Sequence, residues 1–115
     1  MNELIECRRR RAILVALSIT PLYRLRVADL RELLESVGYA LSLDRLRTDI
    51  AWLAEQGCVE LGSQETVMAK ERGIDAALGR SDLPGIARPT PTEVGSLSSA
   101  LTTAGVNLAK ALNGF

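Results

Sequence analysis

SLDRLRTDIAWLAEQG, residues Ser42 to Gly57, reads as one capped helix, and the fold turns on it. The Ser42 hydroxyl can accept a backbone N–H of the first turn that has no partner within the helix. Leu41 before the cap and Leu46 after it can close a hydrophobic staple. Asp44 lies in the first turn, where the helix dipole favours an anion. Gly57 supplies the left-handed conformation that ends the helix. Leu43, Leu46, Ile50, Leu53 and Ala54 repeat at helical spacing and form an apolar stripe. The opposite face carries Arg45, Thr48, Asp49, Trp52, Glu55 and Gln56. An indole on a polar face wants cover. Either another element lies over Trp52, or this face meets a partner.

Upstream, Val27 to Val37 reads as a second helix with Val27, Leu30, Leu34 and Val37 inward, ended by Gly38. Only Tyr39, Ala40 and Leu41 then precede the Ser42 cap, so the two helices form a helix-turn-helix. Downstream the period changes from helical to alternating. Cys58–Leu61 and Thr66–Ala69 read as two strands around a Gly62-Ser63-Gln64 turn, a hairpin placed where a winged helix carries its wing. Leu22–Leu25, after the Thr20-Pro21 break, is the candidate for a third, minor strand. Lys70 to Leu78 fits one more short helix, closed by Gly79.

Residues 3–18 read as the first helix, with Ile13, Leu14 and Leu17 on an apolar face and Ile5 two turns upstream. Arg8–Arg11 wrap a full turn, so at least one must snorkel over the buried side. The run suits phosphate contact, with Arg9 as its representative. It also suits a solvated face paired with Glu3 and Glu6.

Of the 115 residues, 47% are hydrophobic and only 3% aromatic, so the core is aliphatic and helices are favoured over sheets. No apolar run approaches the roughly 20 residues that span a bilayer, which points to a cytoplasmic protein without a membrane partner. The net charge is zero, but residues 1–47 hold nine basic groups against six acidic, and residues 48–115 hold five against eight. Cys7 and Cys58 form no CxxC pattern and the chain has no histidine, so we expect neither a metal site nor a cofactor. No nucleophile–base set, phosphate-binding glycine loop or HExxH motif is present, which points away from an enzyme. Asp44 and Asp49, beside Arg45 and Arg47, read as surface ion pairs.

The composition shifts at Ser81. Residues 1–80 are expected to form the winged-helix domain, 81–91 a proline-rich linker, and 92–115 a C-terminal helix. Thr90, Pro91 and Glu93 make a helix start. Val94, Leu97, Leu101, Ala104, Leu108 and Ala111 then alternate steps of three and four, a coiled-coil seam. Val94, Leu97, Leu101 and Leu108 are the expected contacts of a homodimer.

The segments RRRRAIL (8–14), SLDRLRTDIAWLAEQGCVEL (42–61) and ERGIDAALGRSDLPGIARP (71–89) resemble a small winged-helix, ArsR-like protein family of Mu-like phages and prophages. The resemblance spans roughly residues 4–91. It implies a phage or prophage origin and a winged-helix fold, and it leaves the role open between transcription regulation and virion assembly or packaging. Metal-sensing ArsR members use Cys, His and Asp sites that this chain does not reproduce.

The expected architecture is mainly α with a small β-hairpin, a winged helix-turn-helix plus a C-terminal helix. The expected partner is duplex DNA, met by helix 42–56 and the 58–70 wing. Arg45 is placed for a guanine edge, Thr48 for a thymine methyl or a phosphate, and Arg47 for phosphate. Trp52 shares that face. Ser63 and Gln64 in the wing approach the neighbouring groove, and Lys70 and Arg72 follow the backbone. The rival reading is a non-enzymatic protein–protein interaction module of phage assembly or packaging. Trp52 would then be its interface anchor.

Overall fold

A computed structural model describes residues 2–88. The expected C-terminal helix, with Val94, Leu97, Leu101 and Leu108, lies outside the described residues. In chain order the elements are α1 (Asn2–Ser18), a 3-10 turn (Pro21–Tyr23), β1 (Arg24–Arg26), α2 (Val27–Ser36), α3 (Leu43–Glu55), β2 (Val59–Leu61), β3 (Thr66–Ala69) and α4 (Glu71–Ala77). This is a mainly helical fold with one small antiparallel sheet, and it is compatible with a winged helix.

The helices begin and end where local chemistry dictates. Ser42 Oγ accepts the Arg45 N–H at 3.1 Å and so caps α3. Gly38, Gly57 and Gly79 follow α2, α3 and α4 with φ of 102°, 76° and 75°, the left-handed exit that a side chain would strain. The start of α2 has no side-chain cap. Its first N–H, on Val27, is instead taken by the carbonyl of Glu65 at 2.8 Å, which ties the hairpin to α2.

The sheet order is β1-β3-β2, antiparallel throughout. Leu25 pairs with Val67 and both are fully buried, so that face lies on the core. Arg24, Met68 and Glu60 occupy the other face, as the two-residue period requires. The hairpin turns on two left-handed residues, Gln64 and Glu65, at φ of 56° and 53°. Thr66 Oγ1 steadies the turn by donating to the Ser63 carbonyl at 2.8 Å.

α1 is the central element, and its burial differs from the single apolar face expected. Every residue from Arg11 to Leu17 is buried, because α2, α4 and β3 close on it from different sides. Ile5, expected on that face, lies beyond this cover and is 57% exposed, as is Leu4. Packing also continues past Ser81. Ile86 is buried, and the Ala87 N–H donates to the Cys7 carbonyl at 3.1 Å. Residues 83–88 thus lie against α1 as a strap. Cys7 and Cys58 are both free, and Cys58 is buried among apolar side chains.

Candidate nucleic-acid interface

Two sides of α3 have different fates. One packs on α1 through polar groups. Asp49, expected at the surface beside Arg45 and Arg47, is instead 2% exposed. It accepts from Arg9 Nε through Oδ2 and from Arg9 Nη2 through Oδ1, the latter at 3.1 Å. Two parallel charge-assisted bonds fix both the distance and the rotation of α3 on α1. The hydrogen bond to Asp49 raises the Arg9 pKa above its ordinary value against the opposing effect of burial. Arg9, expected over phosphates, is therefore spent inside the fold.

Trp52 belongs to the same inner side. The Arg10 guanidinium lies 3.9 Å from the centre of the Trp52 ring, a cation–π contact. Arg10 Nη1 also donates to the Gly85 carbonyl at 3.1 Å. Gly85 has φ of 87°, and a Cβ there would stand 2.7 Å from Trp52 Cη2. Only glycine lets the strap lie this close to the indole. The chain itself covers Trp52, which removes the reason to read it as an exposed anchor.

The other side of α3 is open. Asp44, Arg45, Arg47, Thr48, Ala51 and Glu55 are exposed, as are Ser63 and Gln64 at the hairpin tip. Arg47 joins the two parts: its Nη2 donates to Glu65 Oε1 at 2.7 Å, and its Nη1 stands 3.9 Å from Asp44. Arg45 Nη1 lies 3.9 Å from Glu6. Thr48 donates its hydroxyl to the Asp44 carbonyl at 2.9 Å. Beneath the Arg47–Glu65 bridge is a groove of about 320 Å³ lined by Val27, Ile50, Leu61 and Thr66.

The structure leaves Arg45, Arg47, Thr48, Ser63 and Gln64 all exposed, but joins only Arg47 to the hairpin, through Glu65, and sets Arg45 beside Glu6 of α1. It does not bring Lys70 to them. Lys70 follows β3 at the end of the hairpin away from the tip, beside Gly57 and Arg72. Sequence reasoning missed Glu65, because a carboxylate in a turn carries no mark of a partner 18 residues away. Near Lys70, burial pushes the Cys58 thiol pKa up while Arg72 opposes the shift, so this sulfur stays protonated and poorly nucleophilic. Among the described residues no group of three or more His, Cys, Asp or Glu is placed to hold a metal ion. No described helix is long and apolar enough to cross a membrane.

The sequence matches no family model, and no solved structure matches it. It is similar to "Uncharacterized protein gp26" of Escherichia phage Mu, with 37% identity over 65 residues. That stretch covers 54% of this chain and 68% of the phage protein.

Proposed function

This chain belongs to the family of the phage Mu protein gp26, and from that premise we propose that it is a phage protein that grips duplex DNA. The observation that carries the reading is the open side of α3. A capped helix start exposes Arg45, Arg47 and Thr48 to solvent, and Arg47 links it to the hairpin turn through Glu65. Such a helix enters the major groove with its first turns nearest the bases. Arg45 then reaches a guanine edge, Arg47 a phosphate, and Ser63 and Gln64 the adjoining backbone.

The surrounding carboxylates set the strength of this grip. Glu6 lies within ion-pair distance of Arg45, and Asp44 and Glu65 within that distance of Arg47. Phosphates must displace these partners, and Glu55 and Glu60 add repulsion nearby. We therefore expect weak binding that falls as salt rises, with the slope set by the few phosphates contacted. Titration of random duplexes at two salt concentrations measures it. No binding at low salt ends the DNA reading for the protein acting alone.

Two substitutions separate the roles. Arg45→Ala costs roughly 1–3 kcal/mol on a preferred site and flattens discrimination there. Glu65→Gln frees Arg47, so it tightens binding to all sequences several-fold and steepens the salt dependence. An unchanged affinity for Glu65→Gln would show that Arg47 does not meet phosphate.

The carboxylates also favour a second reading, an interaction module of phage assembly or packaging that keeps this shape without reading DNA. A partner protein that presents basic groups to Asp44, Glu55, Glu60 and Glu65 suits that surface.

A further inference from the structure

We infer that the groove between α3 and the hairpin docks a partner protein through one large apolar side chain flanked by lysine or arginine. The inference rests on the interaction-module reading of this surface and not on DNA binding.

The groove is held open by its own walls. At the start of α2 the Val27 N–H donates to the Glu65 carbonyl at 2.8 Å, and Arg47 of α3 donates to the Glu65 carboxylate at 2.7 Å. Val27, Ile50, Leu61, Gly62 and Thr66 line the space of about 320 Å³ beside these bonds. Val27 and Ile50 are buried, whereas Leu61 is 57% exposed. A preformed apolar groove takes an apolar group without first having to be ordered. Phosphates and sugars are polar, so a duplex against α3 leaves this space unused.

The turn adds a second observation. Gln64 and Glu65 have φ of 56° and 53°, where residues other than glycine are strained. A glycine at position 65 would relieve the strain but would take the carboxylate from the rim. Glu65 therefore sits against its backbone preference, with its side chain on Arg47.

Charge names the occupant. Asp44 also stands at the rim, 3.9 Å from Arg47, with its side chain 98% exposed. Two exposed carboxylates thus share one guanidinium, and the rim keeps an excess of negative charge. Lysine or arginine beside the inserted side chain completes these pairs, and an acidic segment is repelled. Exposed ion pairs add little affinity, so the apolar anchor holds the partner and the basic groups select it.

Amide NMR of the full chain, titrated with the peptide acetyl-Lys-Leu-Lys-amide, tests the proposal. One anchor with exposed ion pairs amounts to a Kd on the order of 1 mM. The amides of Ile50, Leu61, Gly62 and Thr66 are expected to shift, and those of Gly79 and Arg80, which follow α4, to stay in place. Peptides with serine for the leucine, or glutamate for both lysines, are expected to bind several-fold more weakly. Leu61→Ser, at an exposed position, is expected to weaken the first peptide roughly tenfold. Glu65→Gln should weaken it by up to about five-fold, the opposite of its expected effect on DNA. Shifts confined to Asp44, Glu55 and Glu60 would keep the acidic surface as a partner site but overturn the groove. No shift anywhere overturns both. Equal binding of the glutamate peptide also overturns the proposal. So do the same shifts produced by raising the protein concentration alone, which would make the occupant a second copy.

Discussion

Asp49→Ala is expected to lower the unfolding free energy by roughly 3–5 kcal/mol, the usual cost of leaving one member of a buried ion pair without its partner. Arg9 would keep its charge, since a guanidinium does not lose its proton in a folded protein, and the side chain has little path to water. A small domain has about 5–15 kcal/mol in total, so the variant is close to unfolding at ambient temperature. Urea titration measures the loss as a lower midpoint at unchanged slope. The companion experiment replaces both partners, Arg9→Met with Asp49→Leu. The double variant should recover most of the loss, because the penalty arises from the orphaned charge and not from the absence of the bridge. If Asp49→Ala costs under about 1 kcal/mol, the pair is solvated and α3 is not anchored through it.

Gly73→Ala is expected to be nearly as damaging, against the sign that its position suggests. In an ordinary helix interior, alanine is the better residue by roughly 1 kcal/mol. Gly73 lies in α4 where a Cβ would stand 2.2 Å from the Cys58 carbonyl oxygen and 3.0 Å from Leu14 Cδ2. The leucine can turn, but the carbonyl cannot move freely because it accepts the Lys70 N–H at 2.8 Å. Overpacking of this kind costs about 1–3 kcal/mol and more when the obstacle is backbone. We expect about 3 kcal/mol after the gain in helix propensity is subtracted. A neutral or stabilising result in the same urea titration would mean that α4 can slide away from β2.

Where signals are local, the sequence is easily read. Ser42 and Gly57 mark the ends of α3 by their own conformational chemistry, and Gly38 and Gly79 do the same for α2 and α4. The alternation after Gly57 places the hairpin within a residue. The inner side of α3 is another matter. Asp49 has arginines two and four residues away, and helical spacing alone assigns it to them. Its partner is Arg9, forty residues distant. Likewise four consecutive arginines point in four directions, and which of them is buried depends on what packs over α1. Arg9 meets Asp49, Arg10 meets Trp52 and Gly85, and Arg11 donates to the Arg88 carbonyl at 2.9 Å. None of those neighbours is near in sequence. Gly73 gives no warning either, since the carbonyl that forbids a side chain belongs to Cys58 on the preceding hairpin.

The seat of Trp52 makes the protein its own optical gauge. The chain has one tryptophan, so its emission comes from a single known place. One wall of that place is the Arg10 guanidinium and another is the backbone of Gly85, close enough to leave no room for a methyl group. Lifting residues 83–88 from α1 admits water to the indole and withdraws the carbonyl that holds Arg10 over it. The colour and intensity of that emission therefore report the seating of residues 83–88 and, through Asp49 one turn away, of α3 on α1.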